Sequence, residues 1–86
     1  MKTKAPTPPQ LAVLQAVHDY NAHHRLNPTY RDVVKRVGIS YSNVQFRVKA
    51  LLQKGLLTNE PGVARSLALT AEGERAIKEA ASGRAA

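Results

Sequence analysis

The chain has 86 residues, 43% of them hydrophobic, which suits one small packed domain and excludes a chain disordered throughout. It has no cysteine, which excludes disulfides and thiolate metal sites, and it has no run of 18 apolar residues to span a bilayer. Thirteen Lys and Arg against six Asp and Glu give a net charge of +7, a balance that suits an anionic polymer or surface as partner.

The charge is concentrated: residues 25–65 hold eight basic and two acidic residues, which is +6 of the net +7. Residues 1–6 read as a flexible basic arm without the apolar stretch of a secretory signal. Thr7-Pro8-Pro9-Gln10 is a helix start, because Thr caps well and proline at the first helical position lacks only an N–H that would be unpaired anyway. Leu11, Val13, Leu14 and Val17 then form one stripe at helical spacing, with Tyr20 at its edge, in a helix running to about His24. Arg25-Leu26-Asn27-Pro28 is the break, since the residue before proline is pushed out of the helical region.

Thr29 caps a second helix, Tyr30 to Val37, with Asp32 facing the positive end of its dipole and Val33, Val34 and Val37 inward. Gly38 ends it in the left-handed conformation. Ser40 caps a third helix, Tyr41 to about Lys54, whose inward set is Tyr41, Val44, Val48, Leu51 and Leu52, and Gly55 ends it. Leu56-Leu57-Thr58 and Ser66-Leu67-Ala68-Leu69 read as strands of a hairpin around the Pro61-Gly62 turn. Thr70 caps a last helix, Ala71 to about Ala81, and residues 83–86 form a tail.

The fold class that follows is mainly α with a small β-hairpin, in the order α-α-α-β-β-α of a winged helix-turn-helix. The run from Val37 to Leu51, a helix stopped at Gly38, a short turn and a capped helix, places the second helix across the first, where it fits a major groove. Read at about 100° per residue, that helix turns Ser42, Phe46, Lys49 and Gln53 away from its buried stripe, with Asn43 and Gln45 flanking. Asn and Gln bond adenine in two places and Ser is more tolerant. Phe46 suits a thymine methyl group, a dimer contact or plain tolerated exposure, and Lys49 a phosphate or a guanine. Arg47 lies at the rim of the stripe within reach of a phosphate. Arg31, Lys35 and Arg36 on the second helix suit the DNA backbone or a solvated face. The helix starts, with Thr29 and Ser40, offer unpaired N–H groups, and Arg65 in the hairpin loop is placed for a phosphate or a minor groove. His18, His23 and His24 lack ligand spacing and read as surface residues.

Thr7-Pro-Pro-Gln10, Val13-Leu14, Val17, Pro28-Thr29, Asp32-Val33, Val37-Gly38-Ile39, Val48-Lys49-Ala50-Leu51, Lys54-Gly55-Leu56-Leu57 and Ala64-Arg65-Ser66-Leu67 together resemble the DNA-binding domain of the LexA repressor family over residues 7–69. The resemblance implies a winged helix that reads an operator as a dimer and represses transcription, with Ser40, Ser42, Asn43 and Gln45 where the family contacts bases. The stretch between Gly38 and Lys49 is one residue shorter than the family pattern. Gln45 and Phe46 replace the family's usual acidic pair, which implies a different operator. The self-cleaving serine–lysine domain that follows in the family is absent from this chain, and with it the family's main dimer contact. The ending Leu69-Thr70-Ala-Glu-Gly73 is similar instead to MarR-type regulators, and implies a dimerising seam of Ala76, Ile77, Ala80 and Ala81.

The reading is thus a basic arm (1–6), a winged helix domain (7–82) and a tail (83–86). It is expected to act as a sequence-specific regulator of double-stranded DNA, in the prokaryotic or phage cytoplasm on the nucleoid; a homodimer implies a palindromic site with half-sites a helical turn apart, and a monomer a single short site. No catalysis, cofactor, metal, membrane or small-molecule ligand is expected. Ser40, Ser42, Asn43, Gln45 and Phe46 are the base-reading candidates. Thr29, Arg31, Lys35, Arg36, Arg47, Lys49 and Arg65 are the phosphate-binding ones. Two other readings stay open: a protein-docking winged helix, favoured by Phe46 and Ala50 if exposed together, and non-specific DNA architecture.

Overall fold

The computed structural model describes residues 5–85, with side chains as far as residue 81. The chain runs α1 (Pro8–His24), α2 (Tyr30–Val37), α3 (Tyr41–Gln53), β1 (Leu57–Thr58), β2 (Ala68–Leu69) and α4 (Ala71–Ala85). Each helix begins on a hydroxyl residue that satisfies an otherwise unpaired N–H. Thr7 and Gln10 form a reciprocal capping box, as do Thr29 and Asp32. The Ser40 hydroxyl accepts from the Asn43 N–H at 3.2 Å, and the Thr70 hydroxyl from the Gly73 N–H at 3.0 Å.

The helix ends are less uniform. Arg25 caps α1 in the left-handed conformation (φ 60°) and donates its N–H to the Asn21 carbonyl. The helix therefore stops three residues before Pro28. Gly38 ends α2 at φ 80°, where a side chain would be strained. At the end of α3 the Leu56 N–H donates to the Leu51 carbonyl at 3.0 Å, so Leu56 completes the helix and β1 begins one residue later than expected. The strands pair antiparallel, Leu57 with Leu69 and Thr58 with Ala68. Ser66 stands outside β2 because its hydroxyl accepts from the Glu60 N–H and donates to the Glu60 carbonyl, which closes the loop.

Val13, Leu14 and Val17 of α1 meet Val33 of α2, Val44, Val48 and Leu51 of α3, and Leu56, Leu57 and Leu67 of the hairpin in one buried cluster. Burying each such side chain contributes about 1.5–3 kcal/mol. Val34, Val37, Leu11 and Leu52 pack on its edge.

Four expectations change. Tyr41 is 45% exposed, because it is the first residue of α3 and lies against Tyr30 (ring centroids 6.1 Å apart) outside the core. Ala50 is half-buried, so it does not share exposure with Phe46. Ala76 and Ile77 pack on this chain's own core, which leaves Ala80 and Ala81 of the expected dimer seam, and Ala80 borders a groove shared with Pro8 and Leu11 of α1. Helix α4 continues to Ala85 rather than Ala81, alanine being the best helix former and a lone glycine costing only about 1 kcal/mol. Gly73 earns its place by close approach: a Cβ there would overlap the Leu56 carbonyl oxygen. Of the expected N-terminal arm, residues 1–4 lie outside the described residues.

Candidate nucleic-acid interface

Helix α3 buries Val44, Val48 and Leu51 completely, and this fixes its rotation. Ser42, Asn43, Gln45, Phe46 and Lys49 are all exposed on the other side, Phe46 to 73%. The side chains of Ser42, Asn43, Gln45 and Lys49 make no hydrogen bond or ion pair to any described residue. Ser40 sits at the helix start with its hydroxyl accepting from Asn43, which leaves its proton to donate and one lone pair to accept. Helix α3 carries no acidic residue.

Helix α2 adds exposed Arg31, Lys35 and Arg36, again without partners among the described residues, and half-buried Arg47 lies at the rim of α3. The carboxylate of α2, Asp32, is turned to internal work: its Oδ2 accepts the Thr29 N–H at 2.9 Å. The Thr29 hydroxyl in turn accepts the Asp32 N–H at 3.1 Å, so the Thr29 N–H is taken and its hydroxyl proton is the donor left for a phosphate. The Thr29 N–H lowers the Asp32 pKa, with further lowering from the Thr29 and Tyr20 side chains and from Arg65.

Tyr30 and Tyr41 are the first residues of α2 and α3, so their ring contact sets two helix starts side by side. Burial, and then the neighbouring Tyr41, push the Tyr30 phenol above its ordinary pKa. These two rings, Arg31 and the loop residues Asn59, Val63 and Ala64 border one open cleft. Two positive helix ends and an arginine along one cleft suit a chain of phosphates.

Arg65 is the candidate whose placement differs most from expectation. Its Nη1 donates to the Asn27 carbonyl at 2.8 Å and lies 3.4 Å from Asp32 Oδ2, so the guanidinium folds back on the start of α2. Lys54 is also drawn inward, donating to Gln10 Oε1 at 2.6 Å and to the Ala5 carbonyl at 3.0 Å. Sequence reasoning missed Asn21 and Asn27. The first donates from its amide to the Asn27 side chain at 2.8 Å, and the second from its amide to the Arg65 carbonyl at 3.1 Å. No spacing signals a bond between residues 38 apart in sequence.

His23 and His24 touch, with ring centroids 5.1 Å apart, but His18 does not join them. His18 pairs with Asp19 at 3.2 Å and Glu74 at 3.7 Å, and His23 and His24 stand exposed at the end of α1. Among the described residues no helix is long and apolar enough to cross a membrane.

Residues 3–66 match the family described as the LexA DNA binding domain, a span that ends before β2 and α4. The LexA repressor of Limosilactobacillus reuteri (strain DSM 20016) is 34% identical over 65 residues, 74% of this chain and 31% of that protein. That of Lacticaseibacillus casei (strain BL23) is 34% identical over 74 residues, 85% of this chain and 36% of the relative. That of Oleidesulfovibrio alaskensis is 34% identical over 64 residues, covering 74% and 31%. The chain spans about a third of the length of the curated relatives it matches.

Proposed function

Because this chain belongs to the LexA DNA-binding domain family, we propose that it is a transcriptional repressor that recognises a specific duplex sequence by binding, without catalysis, in a bacterial or phage cytoplasm. The observation that carries this reading is the outer face of α3: Ser42, Asn43, Gln45 and Lys49 are exposed and bond to no described residue, and no acidic residue on α3 repels a phosphate.

In the major groove, Asn43 and Gln45 present amides that pair with adenine edges, Ser40 and Ser42 present hydroxyls, and Phe46 packs on a thymine methyl. Arg31, Lys35, Arg36, Arg47 and Lys49 neutralise phosphates, the Thr29 hydroxyl donates to one, and the N–H groups at the starts of α2 and α3 supplement them. Gln45 and Phe46 give this protein an operator of its own. A homodimer on a palindrome places two such helices one helical turn apart, with Ala80 and Ala81 the part of the α4 seam that lies outside the core cluster.

The test is selection from a randomised duplex pool at about 0.15 M salt followed by sequencing. A palindromic consensus is the expected result. A single short consensus replaces the dimer with a monomer, binding without enrichment replaces specific recognition with DNA architecture, and no recovered DNA makes α3 a protein-docking face.

A further inference from the structure

We infer that Arg65 is a positioning residue, which latches the hairpin loop to the start of α2 through Asn27 and Asp32 and so sets where that loop meets DNA. This rests on the DNA-binding reading above. The loop, residues 59–65, is held to the helices at one place. Among the described residues, every hydrogen bond from it to the helical part runs through Arg65: Nη1 to the Asn27 carbonyl at 2.8 Å, Nη1 to Asp32 Oδ2 at 3.4 Å, and the Arg65 carbonyl accepting from Asn27 Nδ2 at 3.1 Å.

Asn27 is itself braced by Asn21 of α1 at 2.8 Å, and Asp32 Oδ2 also accepts from Thr29 at 2.9 Å. One line of bonds therefore joins α1, the α1–α2 connection, the start of α2 and the loop. Arg65 adopts φ 54°, a left-handed conformation that a side-chain-bearing residue keeps only when its surroundings hold it there. The rest of the loop turns on itself, with Val63 donating to the Glu60 carbonyl at 3.0 Å and Val63 left 54% exposed at the tip.

The composition of the loop separates positioning from direct contact. Residues 59–64 contain one carboxylate, Glu60, and no cation. A displaced loop therefore takes no phosphate-binding charge with it, whereas loss of a cation that touches a phosphate lowers the salt slope by about 0.9.

The experiment uses the full chain with Arg65→Gln, Asn27→Ala and the double variant. It measures affinity for the selected duplex between 50 and 200 mM salt, roughly the range over which such slopes are read, and amide order parameters of the loop in the DNA-free protein. Each single variant is expected to weaken binding roughly two- to tenfold with the salt slope unchanged. The double variant should lose less than the product of the singles, and the order parameters of residues 59–64 should fall. A slope reduced by about one on Arg65→Gln, or a loop as ordered as in the wild type, overturns the latch. A wild-type chain that binds no duplex defeats the DNA-binding reading instead, and the DNA-free order parameters still decide whether Arg65 holds the loop.

Discussion

The outer face of α3 and the partly buried root of the hairpin loop both carry polar side chains, yet they are assembled in opposite ways. On α3 the amides of Asn43 and Gln45 and the ammonium of Lys49 bond to no described residue, above a stripe of Val44, Val48 and Leu51 that is fully buried. At the loop root, Arg65, Asn27, Asn21, Asp32 and Thr29 satisfy one another. Polar capacity left unspent on a rigid helix is available to a ligand, because binding costs it no internal bond. Capacity already spent holds geometry. The same residue types, an asparagine and a long cation, serve both purposes, and only their partners tell them apart.

The largest loss of stability is expected where the hairpin rests on α4. Gly73→Ala places a methyl on the Leu56 carbonyl, and the resulting overpacking should cost about 1–3 kcal/mol in thermal or denaturant unfolding. An unchanged melting temperature would mean that α4 moves away freely. On the opposite face, Asn43→Ala should leave unfolding unchanged and cost about 1–3 kcal/mol on the selected duplex, relaxing preference at one base position. Equal losses on selected and random duplex would remove Asn43 from base reading.

Substitutions at Asp32 and Lys49 should have smaller effects. Asp32→Ala unpairs the Thr29 N–H and removes a partner of Arg65, for about 1 kcal/mol of stability. Arg65 is exposed enough that the ion pair itself adds little. The folded-state pKa of Asp32 is lowered, chiefly by the Thr29 N–H, so its contribution is complete above the ordinary Asp value of 3.8 and is lost as pH falls through the lower folded value. Unfolding measured on descending pH should show that loss in the wild type and not in Asp32→Ala. Least in free energy, Lys49→Ala should weaken all duplexes alike and reduce the salt slope by about 0.9. A loss confined to the selected sequence would assign Lys49 to a guanine instead.

Where the helices begin and how α3 is rotated could be read from local residue pattern alone. Hydroxyl caps act within three residues, as Thr7, Thr29, Ser40 and Thr70 do, and the apolar stripe repeats within each helix. The same pattern also placed the exposed polar set of α3, since residues opposite a buried stripe face outward whatever the stripe packs against. The helix ends were partly hidden: a left-handed arginine at position 25 has no signature comparable to Gly38. It took the packing of elements on one another to turn Arg65 back on Asn27 and Asp32, to set Tyr41 outside the core against Tyr30, to pack Ala76 and Ile77 on the edge of the core, and to bring Gly73 against Leu56. Each of these depends on where one element comes to rest against another. The bonds that aim Arg65 close only once the hairpin has folded onto residues 38 and 33 positions earlier, at a distance over which local sequence pattern carries no information.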